Sequence, residues 1–304
     1  MERPKVAVIM STYNGEKYLK EQIDSILKQK DVDIDLHIFD DCSKDKTVEV
    51  VREYEKKNKN VYLNINAKNK NYTYNFIDGL FTFKDNDKYD FYAFSDQDDV
   101  WIDDKLITAI NKIKETGKCT LYSSNLKVVD ENLNYLERNL RDDGFAFDWH
   151  DQLCYCLVTG CTAVFDKYFK NLVTENYPED LLYHDYWIGL IANYCKDANY
   201  VFDKDPSHIL YRQHGKNASG GAITWGFFDR LFGLFKGYEQ NFHILRLLLK
   251  YYGDKLNLDD KELIEKFIHY KKWKNKKYVM KHFKTIRPKK FKFKILFNRY
   301  IEKI

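Results

Sequence analysis

Phe94-Ser95-Asp96-Gln97-Asp98-Asp99-Val100-Trp101 places three carboxylates within four residues, at the end of an apolar, strand-like run that begins at Tyr89. Carboxylates this close repel one another unless a cation or hydrogen-bond donors sit among them. A strand end is a rigid place to hold such a cluster, and in open α/β sheets ligands bind outside the carboxyl ends of the strands. The stretch therefore predicts a divalent-metal and phosphate site at the edge of an α/β sheet.

Upstream, the chain repeats the same grammar. Lys5–Met10 is a short apolar strand broken by Ser11-Thr12-Tyr13-Asn14-Gly15-Glu16, and a helix follows with Tyr18, Leu19, Ile23, Ile26 and Leu27 at helical spacing. Ile34–Phe39 is a second strand ending on Asp40-Asp41-Cys42-Ser43, where Ser43 or Asp45 caps a helix carrying Val48, Val51 and Tyr54. Val61–Ile65 is a third strand, followed by a helix around Tyr74–Phe83; Asp103 or Asp104 caps a helix after the acidic stretch. Strands alternating with helices predict βαβ units in a mostly parallel sheet. Right-handed crossovers bring Ser11–Asn14, Asp40–Ser43 and Ser95–Asp99 to one edge. Neither GxGxxG nor GxxxxGK[ST] is present, which disfavours a glycine fingerprint and P-loop chemistry. The acidic stretch lacks the glycine and twelfth-position glutamate of an EF-hand.

After residue 115 the pattern changes. Cys119–Ser123, Lys127–Val129, Tyr200–Asp203 and His208–Tyr211 read as strands, Leu133–Asp151 as a long loop, and Tyr155–Phe165 as a strand with Gly160 at a bulge or close approach. Tyr183-His184-Asp185-Tyr186-Trp187 opens an apolar helix; Trp225 to about Tyr252 and Asp260 to about Phe283 read as further helices.

The 304 residues, 44% hydrophobic and 16% aromatic, support a substantial core. Six cysteines form no CxxC pair, no apolar run approaches the ~20 residues of a membrane span, and Met1–Lys5 leads straight into a strand. These features predict a reduced, cytoplasmic protein without a signal peptide. The net charge of +4 hides an asymmetry: residues 261–304 carry +13 and the remainder −9. Lysines and arginines there alternate with Trp273, Tyr278, Phe283, Phe291, Phe293 and Phe297, which suits an anionic membrane surface better than nucleic acid. A plain solvated helical face and a homodimer contact stay open.

Val8-Ile9-Met10-Ser11-Thr12-Tyr13-Asn14, Asp40-Asp41-Cys42-Ser43-Lys44-Asp45, Asp96-Gln97-Asp98-Asp99 and His184-Asp185-Tyr186-Trp187, in that order, resemble family 2 glycosyltransferases. With Tyr211-Arg212-Gln213-His214-Gly215, the form Ser-Asp-Gln-Asp-Asp-Val-Trp is similar to bacterial rhamnosyltransferase-like members that build surface polysaccharides. The resemblance implies a GT-A, Rossmann-like α/β fold over residues 1–220, with a nucleotide-binding half (1–115) and an acceptor half (116–220), and a basic helical region over 221–304. It implies an enzyme that moves a sugar from a nucleotide-diphosphate donor, dTDP-rhamnose or a UDP-sugar, to a glycan acceptor; the basic tail would place the site near a lipid-linked acceptor at the inner face of the cell membrane. Thr12 and Tyr13 would border the nucleobase, Asn14 beside them would belong to the nucleotide-sugar site, and Asp41 or its neighbour Asp40 would accept the base's imide N–H. Asp96 would touch ribose or diphosphate, and Asp99 would assist or orient the sugar. Asp98 would ligate Mg²⁺ or Mn²⁺, His214 would complete the metal shell or bind the diphosphate, and Arg212 would supply fixed positive charge nearby. Asp185 would be the base for an inverting attack. Each residue also has a plainer role: Asp40–Asp41 and Asp185 as helix starts, Tyr13 as core, His214 as a structural histidine, Arg212 as an ion-pair partner. A non-catalytic sugar-nucleotide or polysaccharide-binding subunit on the same fold, and a basic helical interaction protein, are the competing classes.

Overall fold

A computed structural model describes residues 2–141, 152–153, 156–215, 227–269, 272, 274, 275 and 277–279, with side chains from 240 onward in the segment that begins at 227. Its centre is a seven-stranded sheet. In chain order its strands are β1 (Lys5–Thr12), β2 (Asp33–Asp40), β3 (Val61–Ile65), β4 (Phe91–Ser95), β6 (Thr120–Ser124), β9 (Val164–Asp166) and β10 (Asn199–Asp203). Across the sheet they lie in the order β10-β6-β9-β4-β1-β2-β3, all parallel except β9, which runs antiparallel between β4 and β6.

The strands are apolar on both faces because helices cover both faces. The two-residue period of β1 sends Ala7 and Ile9 into one core and Val6, Val8 and Met10 into the other. The same alternation divides Tyr92 and Phe94 from Phe91 and Ala93 in β4. Helices α1 (Leu19–Leu27), α2 (Thr47–Lys57) and α4 (Lys105–Thr116) supply the second core. Helices α3 (Asn71–Phe81), α5 (Lys167–Val173) and α6 (His184–Tyr194) supply the first. Two C-terminal helices, α7 (Phe227–Tyr252) and α8 (Leu258–Ile268), continue that core. Phe242, Leu245, Leu248 and Tyr252 pack with Leu263, Ile264 and Phe267, and the Tyr252 hydroxyl donates to the Leu172 carbonyl at 2.8 Å.

A second, four-stranded sheet stands beside the strand ends, in the order β5 (Val100–Trp101), β11 (Ile209–Arg212), β7 (Lys127–Val129), β8 (Tyr135–Asn139). β11 pairs with β5, Ile209 opposite Trp101 and Leu210 opposite Val100, so the chain returns to the acidic stretch after more than a hundred residues.

Several sequence expectations need correction. Between Tyr155 and Phe165 the described residues form a 3-10 turn, Gly160–Thr162, followed by a strand of only three residues, β9. Thr159 and Gly160 carbonyls accept from Thr162 and Ala163 amides, which turns the chain sharply at a place that composition marks as strand. The segment read as a loop contains β8, paired with β7, while 142–151 lie outside the described residues. The helix predicted from Asp260 begins at Leu258 and ends at Ile268. Ser43 does not cap α2; Asp45 accepts from the Thr47 amide instead, at 3.0 Å. Asp104 precedes α4 without a side-chain cap. Among the described residues no helix is long and apolar enough to cross a membrane.

Candidate active site

Parallel pairing of β1 with β2 and β4 aligns three loops at one edge: Thr12 lies opposite Asp40, and Met10 opposite Ser95. Polar bonds then knit the loops together. The buried Asp40 carboxylate accepts from Thr12 Oγ1 at 3.1 Å, from the Ser43 amide at 2.9 Å and from Ser43 Oγ at 2.5 Å. Asn14, held at φ 48°, donates its amide to Ser43 Oγ and accepts the Lys44 amide on Oδ1. Asp41 is buried too; its Oδ1 accepts from Asn66 Nδ2 at 3.0 Å and from the Lys70 amide at 2.8 Å. Asp40 is thus saturated by its own loops, and Asp41 keeps one oxygen outside those bonds. Tyr13, 48% exposed, presents its ring at the same edge.

Gln97 ties the acidic loop to the first loop. Its Oε1 accepts the Tyr13 amide at 2.9 Å and its Nε2 donates to the Tyr13 carbonyl at 3.1 Å. The approach is so close that a Cβ on Gly15 would lie 2.1 Å from Gln97 Oε1, which explains glycine there. Sequence reading passed over Gln97 because a glutamine between aspartates carries no charge to notice.

Within the acidic loop the three carboxylates have different surroundings. Asp98 Oδ2 lies 2.7 Å from His214 Nε2, and the His214 ring packs on Tyr18 at 5.1 Å. The Asp96 carboxyl is pushed up to about 7 by burial and by the neighbouring charges of Asp98 and Asp185. Asp99 is fully buried; its Oδ1 accepts the Arg212 amide at 3.1 Å, and burial with Asp98 and Asp96 alongside raises it strongly. The Cys161 thiol faces it, and one donor atom each of Asp96, Asp99 and Cys161 fall within 4.8 Å of one another. Behind them Lys105 lies buried with Nζ 3.5 Å from the centre of the Trp101 ring, its amine pushed down to about 7 by burial. Asp99 Oδ2 and Lys105 Nζ are buried without a hydrogen-bond partner among the described residues.

This donor set fits a hard divalent cation. An orphaned, buried carboxylate oxygen on Asp99 and an Asp96 carboxyl raised by burial and by neighbouring charge would both gain from positive charge beside them. The donor atoms that converge among the described residues are those of Asp96, Asp99 and Cys161; the two carboxylates suit such a cation and the Cys161 thiol suits it poorly, while His214 Nε2 is turned to Asp98.

Arg212 meets the plainer of its two expected roles, that of an ion-pair partner. It is 1% exposed, and its guanidinium donates to the Asp98 carbonyl at 2.8 Å, to the Glu131 carbonyl and to Glu21, over the Tyr18 ring at 4.4 Å. Its charge is spent on the protein because β11 delivers it beneath the acidic loop. It braces that loop.

Asp185 stands in the first turn of α6, its Oδ1 accepting the Tyr186 amide at 2.8 Å. Its charge reaches Asp96, and both acids raise the hydroxyl of the half-exposed Tyr72 to about 12, after the larger effect of burial. Tyr72 packs edge-on against His184, rings 6.0 Å apart, within electrostatic reach of both acids; a lone tyrosine opening a helix gave no sequence signal. His184 is buried against Phe76, rings 4.3 Å apart, and burial lowers its basicity. A Cβ on Gly160 would lie 2.7 Å from His184 Nε2, so the 3-10 turn needs glycine to let α6 begin here. The close approach expected at Gly160 is therefore real, although the strand around it is not.

A profile of glycosyl transferase family 2 matches residues 7–173. The chain is 32% identical over 229 residues to the dTDP-rhamnosyl transferase RfbG of Shigella flexneri, a match covering 71% of this chain and 75% of that one. An uncharacterized glycosyltransferase of Methanocaldococcus jannaschii is 28% identical over 217 residues, 67% of this chain and 68% of its own. The chain belongs to glycosyl transferase family 2 and is a glycosyltransferase. Its fold is GT-A. The solved structure of Staphylococcus aureus TarS 1-349 in complex with UDP superposes with a TM-score of 0.60 at 19% identity, over 95% of this chain and 75% of that one. The mannosyltransferase PcManGT of Pyrobaculum calidifontis, in complex with GDP-Man and Mn²⁺, gives 0.51 at 14% identity, over 92% and 84%.

Proposed function

We propose that this chain transfers rhamnose from dTDP-rhamnose to a hydroxyl of a surface-polysaccharide precursor, with inversion at the anomeric carbon and with the help of Mg²⁺ or Mn²⁺. The observation that carries the reading is the nearness of Asp185 to the acidic loop, where its charge adds to burial and to Asp98 in raising the Asp96 carboxyl.

The three loops divide the work. Tyr13 offers a ring face to the base, and Asp41 accepts its imide N–H, while Asp40, Thr12 and Asn14 hold the pocket's shape. Asp98, Asp96 and His214 would hold the cation, which would neutralise charge building on the departing diphosphate. Asp99 and Arg212 fix the loop from beneath. Asp185 takes the acceptor's hydroxyl proton as its oxygen bonds to the anomeric carbon, and the bond from that carbon to the diphosphate oxygen breaks on the opposite side. The preference for dTDP-rhamnose is supported by the Shigella relative's name, and a UDP-hexose is the second choice. The +13 charge of residues 261–304 supports an encounter with an anionic membrane bearing a lipid-linked acceptor.

The test is a binding and turnover screen of dTDP-rhamnose, UDP-glucose, UDP-N-acetylglucosamine and GDP-mannose, with Mn²⁺ and with EDTA. Turnover confined to dTDP-rhamnose, abolished by EDTA and by Asp185→Asn, is the expected result. Full activity in EDTA or in Asp185→Asn would overturn the mechanism, and turnover confined to another donor would overturn the substrate.

A further inference from the structure

At the opposite edge of the main sheet lies a cavity of about 580 Å³. The starts of β1 and β4, the end of β9, the end of α4 and the first residues of α5 line it. It stands about 23 Å from the donor loops, the length of β1 at ~3.3 Å per residue.

The wall is strongly basic. Arg3, Lys5, Lys88, Lys114, Lys118 and Lys167 line it, against Glu2, Asp90 and Asp166. Each acid has a partner, two of them in Lys5 of the same wall. Asp166 is buried and caps α5 through the Phe169 amide at 2.8 Å, Asp90 accepts the Lys5 amide at 3.0 Å, and Glu2 sits 3.8 Å from Lys5. Lys88 is held by Asp35 at 2.6 Å. Arg3, Lys114, Lys118 and Lys167 have no carboxylate partner among the described residues. Fold stability does not account for this set. Lys114 suits the negative end of α4, but Lys167 stands in the first turn of α5, where the helix dipole disfavours a cation.

An aromatic ring lies among these cations. Tyr168 is 41% exposed, with Lys118 Nζ 4.8 Å and Lys167 Nζ 5.7 Å from its ring centre. Both ammonium groups lie over the ring; phosphoryl oxygens would draw them off it, and the ring face so uncovered takes the C–H surface of a sugar. A concave cleft admits a chain segment and excludes a flat bilayer.

We propose that this cleft binds a phosphorylated or phosphodiester-linked glycan segment, with a sugar ring on Tyr168 and phosphoryl groups on Lys118, Lys167, Lys114 and Arg3. It is a second glycan site, remote from the donor loops, and it stands apart from the catalytic reading because its binding is measured without turnover.

The test uses the full chain and four probes: 6-phosphorylated maltohexaose, unphosphorylated maltohexaose, inorganic phosphate and phosphatidylglycerol vesicles. Calorimetry gives affinity, and hydrogen exchange locates the contact. Wild type should bind the phosphorylated hexasaccharide at least tenfold more tightly than either the neutral sugar or phosphate, with protection gained over 113–118 and 166–168. Lys118→Glu with Lys167→Glu should weaken it at least tenfold. Lys56→Glu with Lys59→Glu, the same charge change at exposed positions on and after α2, should change it less than twofold. Tyr168→Ala should weaken the phosphorylated sugar about fivefold and leave phosphate unchanged. Equal losses in the two double variants would reduce the effect to overall charge and overturn the proposal. So would protection elsewhere, binding to vesicles alone, or no binding of the phosphorylated sugar below millimolar concentration.

Discussion

Asp98 Oδ2 and His214 Nε2 lie 2.7 Å apart, although 116 residues separate them in the chain. The carboxylate ends a loop on β4, and the imidazole follows β11 of the second sheet. The pairing of β11 with β5 is what makes them meet.

Removing either member of this pair should weaken cation binding. Asp98→Asn is expected to raise the Mn²⁺ dissociation constant about 100-fold and His214→Ala about tenfold, as read by the free Mn²⁺ signal in electron paramagnetic resonance. Unchanged affinity in both variants would place the metal elsewhere.

Gln97 should matter for donor affinity more than for chemistry. Gln97→Leu removes both bonds to the Tyr13 backbone and is expected to raise KM for the donor about tenfold while kcat changes less than threefold. Gly15→Ala, which drives a methyl into Gln97, should act in the same direction. A large loss of kcat with KM unchanged would refute this division.

The base should behave in the opposite way. Asp185→Asn is expected to lower kcat about 10³-fold with donor binding intact by calorimetry. Gly160→Ala, by pushing His184 and the first turn of α6, should also depress kcat and lower Tm. Wild-type kcat in Gly160→Ala would show that the turn tolerates the displacement.

The acidic cluster predicts a pH dependence. Asp96 has an ordinary carboxyl value of 3.8 and is raised to about 7 in the fold. Between those values the folded state retains a proton that the unfolded chain has lost, so this group's contribution to stability declines as pH rises from about 4 to about 7. A cation favours the ionised form. The Tm gain from Mn²⁺ should therefore be larger at pH 8 than at pH 5.5; scanning fluorimetry showing the reverse would contradict the assignment.

Arg212→Met strips the Asp98 and Glu131 carbonyls and Glu21 of a donor and should cost about 2 kcal/mol of stability in denaturant unfolding. Retained stability with lost donor affinity would instead return Arg212 to the ligand side of the loop.

The local pattern of residues was sufficient for the parallel strands of the first half, for the helices that flank them, and for the three loops at one edge, but not for β9 or the second sheet. Those features rest on periodicity within a few residues and on the handedness of crossovers. The acidic stretch announced itself because repulsion among adjacent carboxylates is a property of sequence neighbours. Tertiary structure alone decided which acid does what. Asp40 is consumed by Thr12 and Ser43, Asp99 is sealed against Cys161 and the Arg212 amide, and Arg212 turns inward. The bend at Gly160 likewise depends on the His184 ring that approaches it from another element. Burial and partners reached across a hundred residues set the pKa and the free valence of each side chain, and those quantities exist only once the chain has closed on itself.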